Sequence, residues 1–126
     1  MPIDVEHPQG RRPTLYYDGA CPVCAREIAM YRRQPGAEGV EWVDVTRCDA
    51  QALGPGLDRE AALARLHLRR ADGQIVSGAQ AFVALWSALP RWAPLARLAG
   101  TRPVLAVLEA GYRGFLVARR AWRRAP

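Results

Sequence analysis

The chain has 126 residues, half of them hydrophobic and 24% charged, a balance that excludes a disordered or fibrous polymer and fits one globular domain. A fold of this length buries roughly two thirds of its unfolded surface, and three cysteines are too few for a secreted disulfide scaffold. The formal charge of +6 is uneven: residues 1–60 hold seven arginines and ten acids, residues 61–126 eleven arginines and only Asp72 and Glu109, a basic half that charge alone assigns to no partner.

Residues 1–12, opening Met1-Pro-Ile-Asp-Val-Glu-His-Pro, lack the basic start and apolar run of a secretory signal and read as a flexible lead-in. The later apolar stretches, Ala79–Leu89 and Pro103–Ala118, are too short or are interrupted by Glu109 and Arg113, so no membrane insertion is expected. A cytoplasmic, reducing setting is the expectation.

Thr14-Leu-Tyr-Tyr is β-branched and aromatic and reads as a first strand, ended by the turn chemistry of Asp18-Gly19. Cys21-Pro22-Val23-Cys24 then opens a helix to about Gln34, with Pro22 suited to its first turn and Pro35-Gly36 as the stop. Val40–Val45 reads as a second strand, parallel to the first through a right-handed crossover. After Gly54-Pro55-Gly56 come a short helix from Leu57 to about Ala64, a hairpin of Leu66–Arg69 and Gln74–Ser77, and a helix from Ala79 to Leu89 stopped by Pro90. The order βαβαββα is that of the α/β thioredoxin-like fold.

Residues 13–90 therefore form the core domain, and 91–126 an Arg-rich helical extension packed on it, with helices at 93–99 and 103–125. In the longer one Val104, Leu108, Phe115 and Trp122 share a face, opposite Arg113, Arg120 and Arg124. This pattern favours a core-docked helix with a solvated polar face over a nucleic-acid surface. Trp42, Trp86, Trp92 and Trp122 are scattered as core residues are, without a base-stacking platform.

A Cys-x-x-Cys pair where a strand gives way to a helix carries chemistry through its position. Unpaired N–H groups and the helix dipole stabilise a thiolate at Cys21, the attacking species of disulfide exchange. Cys24, one turn on, can then resolve the mixed disulfide, so the pair cycles as a redox-active disulfide. Pro22 stiffens the dithiol loop, and small Ala20 leaves Cys21 accessible. Asp18 is placed to cap the turn or to exchange protons with a cysteine, and Glu27 reads as an exposed early-helix acid or a proton relay.

Two other readings compete. Cys21, Cys24, Cys48 and His67 could form a zinc site, although the sequence lacks the usual second close ligand pair, or the basic half could serve a redox-inactive interaction module. Taken singly, Cys48 reads as a free, partly buried thiol and His67 as a strand residue; no metal, flavin or nucleotide cofactor is indicated.

Leu15-Tyr-Tyr-Asp-Gly-Ala-Cys-Pro-Val-Cys resembles the signature of the DCC family of thiol-disulfide oxidoreductases, the Asp and two Cys matched by Asp18, Cys21 and Cys24. Leu66-His67, Asp72-Gly73, Gly78-Ala79, Ala81, Leu89-Pro90 and Tyr112-Arg113 resemble its later landmarks, so the likeness runs over about residues 14–120. The resemblance implies a thioredoxin-like domain acting on a thiol or disulfide, protein or glutathione. Where thioredoxins and glutaredoxins place a cis-proline before the third strand, this chain has Ala64-Arg65. Gly78 stands where glutaredoxins bind a glutathione carboxylate at a helix start, with Arg65 a conceivable anion partner, making both possible substrate-binding residues.

Overall fold

The computed structural model describes residues 12–124; of the lead-in 1–12, all but Arg12 lies outside the described residues, His7 included. Four strands, β1 (Thr14–Tyr17), β2 (Glu41–Asp44), β3 (His67–Arg69) and β4 (Ile75–Ser77), form one sheet in the order β2-β1-β3-β4. β1 pairs parallel with β2, placing Leu15 beside Trp42, and antiparallel with β3, placing Leu15 opposite Leu68 and Tyr16 opposite His67. β3 and β4 close the expected hairpin, Leu68 opposite Val76.

Alternation along the strands sorts side chains to two cores. Leu15, Leu68 and Val76 face one layer, where Ile28 and Tyr31 of α1 (Pro22–Arg32) meet Ala81, Ala84 and Leu85 of α3 (Ala79–Ala88). Tyr16 lies instead in a smaller cluster with Val45, Leu53 and Ala62, the last on α2 (Arg59–Ala64). Trp86 stacks on Trp92 with centroids 5.9 Å apart, and Trp92 meets Tyr31 edge-on at 5.3 Å, which ties the end of α3 to α1.

Helices α4 (Ala93–Ala99) and α5 (Arg102–Arg124) then pack against α3. The arrangement is the mixed α/β, thioredoxin-like order with a C-terminal helical extension. No helix among the described residues is long and apolar enough to cross a membrane.

Local departures from expectation have local causes. α2 starts at Arg59 rather than Leu57 because Asp58 is its N-cap, its carboxylate accepting the Ala61 N–H at 2.7 Å. Short 3₁₀ turns at Ala37–Gly39 and Ala50–Leu53 fill segments that carry no helical periodicity, the second capped by Asp49. On α5, Val104, Leu108 and Phe115 are partly covered, but Trp122 is 42% exposed and touches only the edge of that face, its ring 5.8 Å from Phe115. The inward position that Trp122 was expected to share belongs to Arg119, 6% exposed; the side chain of Arg124 lies outside the described residues.

Candidate dithiol site

The site is assembled where β1 hands over to α1. Gly19 turns the chain against Asp44 at the end of β2: its N–H donates to Asp44 Oδ1 at 3.0 Å, and a Cβ here would collide with that carboxylate. Asp18 is buried, and its Oδ1 accepts the Ala20 N–H at 3.0 Å while its backbone carbonyl accepts the Cys21 N–H at 3.2 Å. Cys21 is thereby set as the N-cap of α1, with Pro22 in the first turn, and its sulfur accepts the Cys24 N–H at 3.4 Å.

The two sulfurs have different surroundings. Burial alone would raise the pKa of Cys21, but hydrogen bonds from the Cys24 side chain and from the backbone of Cys24 and Val23, with the charge of Arg119, bring it below the ordinary 9.0. Cys24 is pushed up to about 12, first by burial and then by the hydrogen bond and charge of Cys21, with Arg119 pulling the other way. Of the two, Cys21 is therefore the thiol that loses its proton more readily.

Exposure runs opposite to that asymmetry. Ala20 is exposed, yet Cys21 is 0% exposed, so the accessible first cysteine expected from a small neighbour is corrected. Cys24 is the sulfur that lines a cleft of about 560 Å³, between α1, the segment before β3, α3 and α5. The cleft walls are mainly apolar and aromatic, with Asp18, Pro22, Arg26, Glu27, Arg65 and Arg119 as further contributors. Glu27 is half-buried rather than exposed; burial raises its pKa, and it accepts a hydrogen bond from the Tyr31 hydroxyl at 3.4 Å, which in turn accepts the Trp86 indole N–H at 3.0 Å.

Sequence reasoning missed Arg119, which is central. From the last turns of α5 its Nη1 lies 3.6 Å from Cys24 Sγ and 3.9 Å from Asp18 Oδ2, while Nη2 donates to the carbonyls of Leu63 and Ala64 at 2.9 and 3.0 Å. One guanidinium thus joins the dithiol, the turn that presents it and the segment before β3. Its five forked donors suit this task as an ammonium would not. The available signal was an arginine on the helical face already marked by Val104, Leu108 and Phe115.

Arg65 and Gly78 are placed together, but around a carboxylate of the chain itself. Glu109 of α5 takes Arg65 Nη2 at 2.7 Å on Oε2 and the Ala79 N–H at 3.1 Å on Oε1, with Arg113 Nε at 2.8 Å. Partial burial would raise the pKa of Glu109, but these donors bring it down to about 2. Gly78 is required by this contact: its φ is +63°, and a Cβ would strike both Arg65 and Glu109. Beside it Tyr112 accepts the Leu66 N–H at 2.6 Å.

Of the four possible zinc ligands, Cys48 and His67 are engaged with other groups. Cys48 packs with the Tyr16 cluster, its thiol 3.9 Å from the Val45 carbonyl, and His67 donates from Nδ1 to the Arg65 carbonyl at 2.8 Å. Burial lowers the pKa of His67, favouring the neutral ring. Among the described residues no three His, Cys, Asp or Glu side chains come together as a metal-ligand set.

Comparison with known proteins places the chain in a family. An uncharacterised chloroplastic protein of Arabidopsis thaliana is 32% identical over 81 residues, which are 63% of this chain and 38% of that protein, so the chain spans well under half its relative's length. No solved structure gives a significant match. The family of DCC1-like thiol-disulfide oxidoreductases matches residues 15–125, from the first strand to the end of α5 and through every group described above. The chain belongs to the DCC1-like thiol-disulfide oxidoreductase family.

Proposed function

We propose that this protein reduces or exchanges disulfides through Cys21 and Cys24, with Cys21 as the attacking thiolate, Cys24 as the resolving thiol and Pro22 holding the loop between them. The observation that carries the reading is the N-cap placement of Cys21, where backbone N–H groups and the Cys24 thiol both favour its charged form. When Cys21 is bound in a mixed disulfide it no longer carries charge, so the influence that most directly opposes ionisation of Cys24 besides burial is gone. Arg119 then faces Cys24 as a fixed cation and stabilises the second thiolate when it is needed. Asp18 holds the turn through Ala20 and shares Arg119 with Cys24, which suits it to the proton exchange that accompanies that step. Such a cycle fits a reducing compartment such as the cytoplasm, where a thiol pool returns the pair to its dithiol form.

A second order of events has its own support, because Cys24 and not Cys21 faces the cleft. Single-cysteine variants separate the two. If Cys21 attacks, Cys24→Ser accumulates a mixed disulfide on Cys21 when offered a small disulfide, detected by intact mass. If Cys21→Ser instead accumulates it on Cys24, the roles are reversed. No adduct on either variant, and no reversible Cys21–Cys24 disulfide in wild type across glutathione redox buffers, would refute the oxidoreductase reading.

A further inference from the structure

The cleft beside Cys24 could hold a substrate through three kinds of surface: backbone groups that pair with an extended peptide, a helix N-terminus that binds an anion, or apolar walls. The first is closed. In the segment that walls the cleft before β3, the carbonyls of Leu63 and Ala64 are taken by Arg119, the Arg65 carbonyl by His67 and the Leu66 N–H by Tyr112. The second is engaged at α3, whose N-terminus lies outside the cleft lining: there Glu109 accepts the Ala79 N–H and pairs with Arg65, the cation that the cleft shares with a neighbouring cavity.

Three residues of one helix, Glu109, Tyr112 and Arg119, thus engage the backbone of the segment before β3, the Ala79 N–H and one nitrogen of Arg65. What they leave is an apolar wall of Tyr17, Ile28, Leu66, Phe82, Tyr112 and Phe115, in a volume suited to a small molecule. Phe82 and Tyr112 meet edge-on at 5.6 Å and Tyr112 and Phe115 lie 6.2 Å apart, so the aromatic side is continuous. The charged lining residues, Arg26, Arg65 and Arg119 with Asp18 and Glu27, come close to balance.

We infer that the substrate is a low-molecular-weight disulfide carrying an apolar or aromatic group, and that α5 sets this choice by occupying the peptide- and anion-binding surfaces. The inference rests on the disulfide-exchange reading and holds whichever cysteine attacks first. One cysteine thiolate attacks a sulfur of R–S–S–R, breaking that bond and releasing RS⁻, which takes up a proton. The other cysteine gives up its proton, attacks the enzyme sulfur of the mixed disulfide and releases the second RS⁻. Two electrons have passed from the dithiol to the substrate, leaving a Cys21–Cys24 disulfide that an external dithiol reduces.

The test uses the wild-type chain with dithiothreitol as that dithiol and four substrates: bis(2-phenylethyl) disulfide, bis(2-hydroxyethyl) disulfide, glutathione disulfide and insulin. Each rate is divided by the rate with dithiothreitol alone. The phenylethyl compound is expected to exceed the other three by about tenfold or more, the factor that burial of one ring supplies. Equal or greater acceleration of glutathione disulfide or insulin would overturn the inference while leaving disulfide exchange standing; acceleration of none of the four would remove both. In Glu109→Ala, which releases Arg65 and the Ala79 N–H, the lead over glutathione disulfide should shrink several-fold, and an unchanged lead would refute the role given to α5. Should that variant fail to fold, calorimetry of wild type with the unreactive bis(2-phenylethyl) sulfide tests the apolar preference directly. Binding that excess glutathione does not displace supports the inference, and absence of binding, or displacement by glutathione, refutes it.

Discussion

Replacing Arg119 by methionine keeps the length and the apolar stem of the side chain and removes its charge and its donors. In the folded chain this strands the carbonyls of Leu63 and Ala64 and removes the cation beside Asp18 and Cys24, at a position 6% exposed where water has little access. Removing one partner of a buried ion pair costs about 3–5 kcal/mol, a large share of the roughly 5–15 kcal/mol that holds a domain together. With a urea slope of about 1.5 kcal/mol/M the unfolding midpoint should fall by about 2–3 M. Arg119→Lys restores a charge near Cys24 but cannot span the sulfur and two carbonyls, so it should lose about 1–3 kcal/mol.

The same variants have a redox readout. Arg119 favours the thiolate at both sulfurs, so its removal should raise both thiol titrations, followed as thiolate absorbance against pH. A methionine variant within about 0.5 kcal/mol of wild type would refute the clamp. Loss of stability with unmoved thiol titrations would leave Arg119 a structural tie and refute its electrostatic role.

Three further outcomes are expected. The reduced pair should titrate in two steps that belong to it jointly, one below the ordinary 9.0 and one near 12, and a single step near 9.0 would contradict the asymmetry described for Cys21 and Cys24. Glu109, at about 2 in the fold against an ordinary 4.5, contributes up to about 3 kcal/mol that is present above pH 4.5 and disappears as the pH falls through 2. Urea titrations of wild type and Glu109→Gln should therefore differ at pH 7 and converge near pH 2. Gly78→Ala should cost about 1–3 kcal/mol by chemical denaturation, and less in a Glu109→Ala background, because part of the cost is collision with the Arg65–Glu109 pair.

The parts of this molecule that were legible in its sequence are those written in local chemistry. Alternation in Thr14–Tyr17, the Asp18-Gly19 turn, Pro22 in the first turn of α1 and Pro90 after α3 mark their elements through neighbours a few residues away, and the four-strand order follows from them. The dithiol was legible for the same reason. What covers it was not. Arg119 is one of six arginines between 102 and 124, and only its register with Val104, Leu108, Tyr112 and Phe115 sets it apart; that face was traced on to Trp122, one turn too far. Arg65 and Gly78 were assigned to a substrate anion, and nothing local reveals that Glu109, 44 residues from Arg65, lies against both. The burial of Cys21 likewise depends on packing around the turn, which the size of Ala20 does not determine.

The reach of Arg119 back to Cys24, across 95 residues, also sets an order of assembly. Strand β1, the turn and α1 emerge from the ribosome early, so the CxxC pair can form its helix cap while α5 is still unsynthesised. Until α5 docks, the Leu63 and Ala64 carbonyls and the Leu66 N–H lack the side chains that receive them in the folded chain. Because contacts of such long sequence separation form slowly, the wall of the cleft beside Cys24 is completed by the last part of the chain to be made.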